Sequence, residues 1–152
     1  MVDMSATLLH HGHVRLLKKA AELGTVVVAL TTDDELKKAK GYNPELSYDE
    51  RREILESLRY VSEVVPSGFI IDENFMDSHN CRMLIHGDDN MNHVRKERLV
   101  IFPRTDGISS SELREKVLDA LVDLNLSNKN TNSSEKIAYI LIETIKKEFK
   151  LE

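Results

Sequence analysis

The sequence predicts an α/β fold, an open parallel five-stranded sheet with helices on both faces. Three observations predict it. Short apolar runs of strand length recur along the chain, the segments between them carry helical periodicity, and the strongest run, "TVVVAL" (25–30), is β-branched and unbroken, as a strand buried on both faces should be. Alternation of this kind gives parallel strands joined by helical crossovers, a Rossmann-like architecture.

In chain order, "MVDM" (1–4) is a short first strand, and apolar residues at 14, 16, 17, 20, 21 and 23 form the stripe of a first helix. After the second strand at 25–30, "SYDERRE" offers Ser47 and Glu50 at capping-box spacing, ahead of a second stripe at 54, 55, 58 and 61. "SEVVPS" (62–67), "RMLIHG" (82–87) and "RLVIFP" (98–103) complete five strands, each stopped by Gly, Pro or a polar residue. "ISSSELREKVLDALVDL" is a further helix, with Ser109 and Glu112 spaced as a second capping box. The expected organisation is a domain at 1–124, a polar Asn/Ser-rich linker at 125–133 and an amphipathic C-terminal helix at 134–152.

Composition narrows the function classes. The chain has 152 residues, enough for one domain with a real core, and 41% hydrophobic with 31% charged residues is the balance of a globular protein. No run approaches the ~20 apolar residues of a membrane span, and no signal-peptide layout opens the chain, so a cytoplasmic protein is expected. Cys81 is the single cysteine, which excludes an internal disulfide. A net charge of −5 argues against nucleic-acid and anionic-membrane partners, although local clusters such as Lys37/Lys38/Lys40 can hold a small anion.

The chemistry concentrates in "LLHHGHVRLL" (8–17), where His10 and His13 stand three apart around Gly12. Three readings compete. A metal pair is the weakest, because Cys81 is remote and no carboxylate joins the histidines nearby. Two polar loop residues with no chemistry is the ordinary default. The third is phosphate binding at a helix N-terminus after the first strand, with Gly12 letting phosphate approach the backbone. A second stretch favours the third reading: "RTDGISSSELRE" (104–115) sets an arginine, a Gly-containing turn and three serines before another helix. Guanidinium, hydroxyls and free helix N–H groups make a second anion site, and two such sites suggest a polyphosphate held between helix termini.

With both stretches in hand, residues 2–118 resemble the cytidylyltransferase group of the HxGH nucleotidyltransferase superfamily, and within it the glycerol-phosphate enzymes. The resemblance rests on "HHGH" (10–13), "TTDDE" (31–35), "KG" (40–41), "SYDERREILESLRYVSEVVP" (47–66), "HGDDN" (86–90) and "RTDGISSSELRE" in that order. It implies transfer of CMP from CTP to a small phosphorylated alcohol with release of pyrophosphate, magnesium travelling with the CTP phosphates, and a homodimer.

By the same resemblance His10, His13, Lys40 and Arg104 are the catalytic residues. Ser5, Gly12, Arg59, Asp88, Thr105, Gly107, Ile108, Ser109 and Ser110 bind nucleotide, and Arg51 stands near the acceptor. Lys40 is expected on a mobile loop that closes over substrate. Plainer readings stand beside these: Lys40 as part of a solvated face, Arg104 paired with Asp106, Arg51 in a surface ion pair with Asp49 or Glu56. The chain departs from the pattern where the glycerol-phosphate enzymes run Gly-Thr-Phe-Asp and it has Met4-Ser5-Ala6-Thr7. The acceptor therefore stays open among a polyol or sugar-alcohol phosphate, choline or ethanolamine phosphate, and a hydroxyalkylphosphonate, with a polyol phosphate or phosphonate fitting better. Choline phosphate, which wants an aromatic cage, suits a chain with no Trp, four Tyr and four Phe least. An adenylyltransferase using ATP and a weakly catalytic nucleotide-binding module are the remaining alternatives.

Overall fold

The computed structural model describes residues 1–127, 141, 142, 144 and 145. The chain divides into two units, 1–106 and 107–152. The first holds five strands, β1 (Val2–Met4), β2 (Val27–Thr31), β3 (Glu63–Ser67), β4 (Leu84–His86) and β5 (Leu99–Ile101). All pair in parallel, in the order β3-β2-β1-β4-β5. The expected strands are all present; four are trimmed by a residue or two at their ends, and β2 begins two residues later and ends one residue later than expected.

Four helices, α1 (His11–Leu23), α2 (Asp33–Lys40), α3 (Tyr48–Glu56) and α4 (Glu73–Ser78), belong to the same unit. The strands alternate their side chains between two cores. Val28 and Leu30 of β2, Val64 of β3 and Ile85 of β4 meet Leu17 and Ala20 of α1 and Leu55 of α3. Val27 and Ala29, Val65 and Leu84 meet Met76 of α4 on the opposite face. Burial on both faces is why β2 reads as an uninterrupted apolar run. Pro66 is tolerated inside β3 because that strand lies at the sheet edge and pairs only with β2.

The order places the topological switch between β1 and β4, so that their carboxyl ends form the crevice where such sheets bind ligands. Three helices depart from the periodicity reading. α4 has no counterpart in it; Asp72 caps this short helix by accepting from the Phe75 N–H at 2.9 Å. α2 was not expected as a helix; its acidic first turn, basic last turn and left-handed Gly41 cap at φ 81° satisfy the helix dipole and end the helix. α3 stops at Glu56, and Leu58 and Val61 reach the core from the turns that follow. Ser47 and Glu50 form the expected capping box.

The second unit opens with α5 (Ser110–Ser127), which reaches Ser127 and so runs into the stretch read as a linker. Residues 128–133 of that stretch lie outside the described residues. Of the expected terminal helix only 141, 142, 144 and 145 are described, and these are helical. No helix among the described residues is long and apolar enough to cross a membrane.

Candidate active site

β1 ends at Met4, and the chain then crosses Ser5–Leu9 to reach His10, the N-cap of α1. Histidine caps this helix with its own ring. His10 Nδ1 accepts from the Gly12 N–H at 3.2 Å, and the His10 N–H donates in turn to His13 Nδ1 at 3.3 Å. The reciprocal pair satisfies two N–H groups that a helix start leaves without partners. It also settles the chemistry of both rings. With each Nδ1 occupied as an acceptor, the proton of each neutral ring stands on Nε2, which makes that nitrogen the donor of the ring. The rings stack with centroids 3.9 Å apart at 34°.

The His13 pKa is pushed from its ordinary 6.5 down to about 3, by burial first and then by the charges of His10, Arg104 and Lys40. At neutral pH His13 is a neutral hydrogen-bond donor beside two fixed cations. Positive potential, neutral imidazole N–H groups and a helix N-terminus on one side of a crevice suit a phosphate group. Among the described residues no three His, Cys, Asp or Glu side chains converge on a point a metal ion could occupy.

The two cations reach this place differently. Lys40 is the last residue of α2, not part of a mobile loop, with its Nζ 5.8 Å from the centre of the Phe69 ring. Arg104 follows β5 and is half exposed; its partner is Asp89, with Nη1 to Oδ2 at 3.2 Å, and not Asp106. Gly87 leaves room for that pair, since a Cβ there would stand 2.9 Å from Asp89 Oδ1 and 3.5 Å from Arg104 Cγ. Asp88 is exposed in the adjoining turn.

Two expected site residues are placed elsewhere. Arg59 lies in the turns that lead into the amino end of β3. In an all-parallel sheet that is the end opposite the histidines, so the chain does not bring Arg59 to them. Arg51 is enclosed, with none of its side chain exposed, and bonds to Leu46, Ser5, Thr31 and Asp33. A surface ion pair with Asp49 or Glu56 does not describe it: its carboxylate partner is Asp33.

Ser5 turns its carbonyl to Arg51, and Thr105 directly precedes Asp106, the last residue of the first unit. Gly107, Ile108, Ser109 and Ser110 belong to the second unit. There Gly107 adopts φ 71°, a turn conformation that favours glycine, and Ser109 Oγ caps α5 by accepting from the Glu112 N–H at 3.1 Å.

A further group went unread in the sequence. His86, at the end of β4, lies 3.5 Å from Asp3 Oδ2 and 3.6 Å from Asp89 Oδ1, with Nδ1 3.0 Å from the Gly87 carbonyl. Burial alone would lower its pKa, but the Asp3 carboxylate, the Gly87 carbonyl and Asp89 outweigh it and hold the pKa above the ordinary value. Asn92 ties Asp3 to this cluster, donating to Asp3 Oδ2 at 2.8 Å. Within "HGDDN", the histidine beside two carboxylates was the available signal. Asp3, distant in sequence, gave none.

The histidine-capped helix start thus follows β1 at the switch point of a parallel sheet, where such sheets bind ligands. The sequence model of the family described as cytidylyltransferase-like matches residues 6–116. The chain is 34% identical over 115 residues to the glycerol-3-phosphate cytidylyltransferase of Bacillus subtilis (strain 168), covering 72% of this chain and 89% of that one. It is 30% identical over 145 residues to the ethanolamine-phosphate cytidylyltransferase of Dictyostelium discoideum, covering 86% of this chain and 40% of the longer relative. Among solved structures, the lipopolysaccharide core biosynthesis protein from Thermoplasma volcanium GSS1 shares the fold with a TM-score of 0.58 at 18% identity, over 70% of this chain and 96% of that one. The chain belongs to the cytidylyltransferase-like family.

Proposed function

We propose that the chain transfers the cytidylyl group of CTP to a small phosphorylated alcohol, a glycerol 3-phosphate-like polyol phosphate, and releases pyrophosphate. The observation that carries this reading is the stacked His10/His13 pair at the start of α1, held as Nε2–H donors beside Lys40 and Arg104. An acceptor phosphate oxygen attacks the α-phosphorus in line; the new O–P bond forms as the bond to the bridging oxygen breaks, and pyrophosphate carries away the electron pair. Charge gathers on the equatorial oxygens in the transition state, and donors already oriented there stabilise it without reorganising. His10 and His13 supply those donors, and Lys40 and Arg104 hold the phosphates on which charge accumulates. No side chain forms a covalent intermediate.

Magnesium belongs to the same proposal. The cationic and imidazole groups at this site suit an ion carried by the triphosphate itself, where it would neutralise part of the nucleotide's charge. A homodimer rests on the family resemblance, and sedimentation of the purified chain reads it directly.

The test is pyrophosphate release with magnesium, each of CTP, ATP, GTP and UTP, and a panel of glycerol 3-phosphate, other polyol phosphates, ethanolamine phosphate and 2-hydroxyethylphosphonate. Release with CTP and one acceptor, lost in His13→Ala, is the expected result. Ethanolamine phosphate is the second acceptor reading, supported by the relative that matches the larger share of this chain. Release with ATP alone, or CTP binding without turnover on any acceptor, overturns the proposal.

A further inference from the structure

We propose that Arg51 is a positioning residue that sets the path of the Ser5–Leu9 loop, and through it the orientation of His10 and His13, and that it does not touch the acceptor. Four of the five guanidinium N–H donors are placed. Nε donates to the Leu46 carbonyl at 3.1 Å, Nη1 to the Ser5 carbonyl at 2.6 Å and the Thr31 carbonyl at 2.9 Å, and Nη2 to Asp33 Oδ1 at 2.6 Å. Those acceptors come from four places: the residue before the α3 cap, the end of β1, the end of β2 and the start of α2. Asp33 Oδ2 also accepts from the Tyr48 N–H at 2.9 Å, which closes a ring of bonds back onto α3.

The bond to Ser5 matters most. Its carbonyl belongs to the peptide that joins Ser5 to Ala6, and Ala6 stands at φ 45°, in the left-handed region that residues with a Cβ rarely adopt. Ala6 and the following Thr7 are buried at 3% and 1% exposure. An unfavourable backbone conformation persists only where its surroundings impose it, and Arg51 grips the peptide plane that does so. Thr31 adds a second tie to the same strand end, its Oγ1 donating to the Met4 carbonyl at 3.5 Å. Three residues beyond Thr7 the loop delivers His10, whose ring and N–H form the reciprocal cap with Gly12 and His13.

Arginine is needed for its shape. A planar fork with five donors can reach three carbonyls and a carboxylate in different directions, whereas a lysine ammonium gathers its donors at one point. Arg51→Lys keeps the charge and loses the fork, so it separates the two contributions.

The test compares the wild type with Arg51→Lys and Asp33→Ala in two ways. The first is nitrogen-15 NMR of the His10 and His13 rings in the ligand-free protein, where Nδ1 and Nε2 resonances report which nitrogen accepts. The second is kcat and KM measured separately for CTP and the acceptor. In folded Arg51→Lys the ring resonances shift as the caps loosen, and kcat falls about 100-fold while the acceptor KM changes less than about three-fold, the signature of misplaced groups and not of lost binding. Unchanged ring resonances overturn the proposal, as does an acceptor KM raised more than about ten-fold at constant kcat. If Arg51→Lys does not fold, Asp33→Ala decides by the same criteria, with ring shifts in the same direction and a fall in kcat of about ten-fold expected.

The kinetic arm rests on the proposed transferase activity; the ring resonances do not. A wild type without turnover sinks that activity and leaves the positioning role to be judged by NMR.

Discussion

His13 and His86 stand near the carboxyl ends of neighbouring strands, β1 and β4, and their surroundings drive them in opposite directions. His13 is enclosed against His10 and faces the cations Arg104 and Lys40, so its proton is expelled and the ring is a neutral donor. His86 is also largely enclosed, yet Asp3, Asp89 and the Gly87 carbonyl face it, and protonation is favoured. Burial has the same sign at both positions. The charge of the facing groups decides the outcome. One histidine is thereby held neutral beside two cations, while the other balances carboxylates beside Arg104.

The largest expected effect comes from breaking the neutral partner. On the proposed mechanism His13→Ala removes one transition-state donor and should lower kcat by roughly 10²–10³, as deletion of a single oxyanion-type donor does. It also removes half of the reciprocal cap, which should cost about 1 kcal/mol in a denaturation curve. A His13→Ala enzyme that keeps full kcat would sever the link between this helix cap and the chemistry.

Arg104 is the next test. It is half exposed and held by one carboxylate that is itself exposed, an arrangement worth about 0–1 kcal/mol and readily exchanged for a triphosphate. Arg104→Ala should raise the KM for CTP by about ten-fold or more while leaving the melting temperature nearly unchanged, since a charge-assisted bond to phosphate is worth ~1.5–3 kcal/mol. A large loss of stability with an unchanged CTP KM would make Arg104 structural.

The pH response of folding sharpens the contrast. His13 has a folded pKa below its unfolded value, so between about 3 and 6.5 the unfolded chain binds more protons at this position, and stability is lost as pH falls through that window. His86 has a raised folded pKa; its contribution is complete below 6.5 and is lost as pH rises through the folded pKa. In Asp3→Asn the His86 pKa, read by NMR titration, should fall, and the alkaline loss should move to lower pH. The acid-side loss assigned to His13 should be untouched. A His86 pKa indifferent to Asp3 would break the comparison.

The smallest effect is expected of Gly87→Ala. The added Cβ meets the flexible end of Asp89 and loosens its pair with Arg104, at a stability cost of a few tenths of a kcal/mol. A loss of several kcal/mol would mean that the backbone, and not the Asp89 side chain, resists the methyl.

The helix start at the histidines was legible because its parts are local: the spacing of His10, Gly12 and His13 marks it. Within the second unit, Gly107 and Ser109 mark the start of α5 in the same way. The missed features are those that depend on distant partners or lack an apolar stripe. α2 buries only Leu36, so periodicity had nothing to register; its end charges and Gly41 were the available signals. Arg51 reads as a surface helix residue because charged side chains are mostly exposed. Arg59, attractive by motif, stands at the wrong end of the strands.

By itself, the sequence determined the parallel α/β layout, the five strands and the helix start at the histidines, because burial patterns and helix-start signals act within a few residues. Tertiary structure alone decided which charges face His13 and His86, and which carbonyls enclose Arg51. Those depend on strand order: placing β1 between β2 and β4 sets Asp3 against His86 on one side, and on the other lets one guanidinium bind the ends of both β1 and β2.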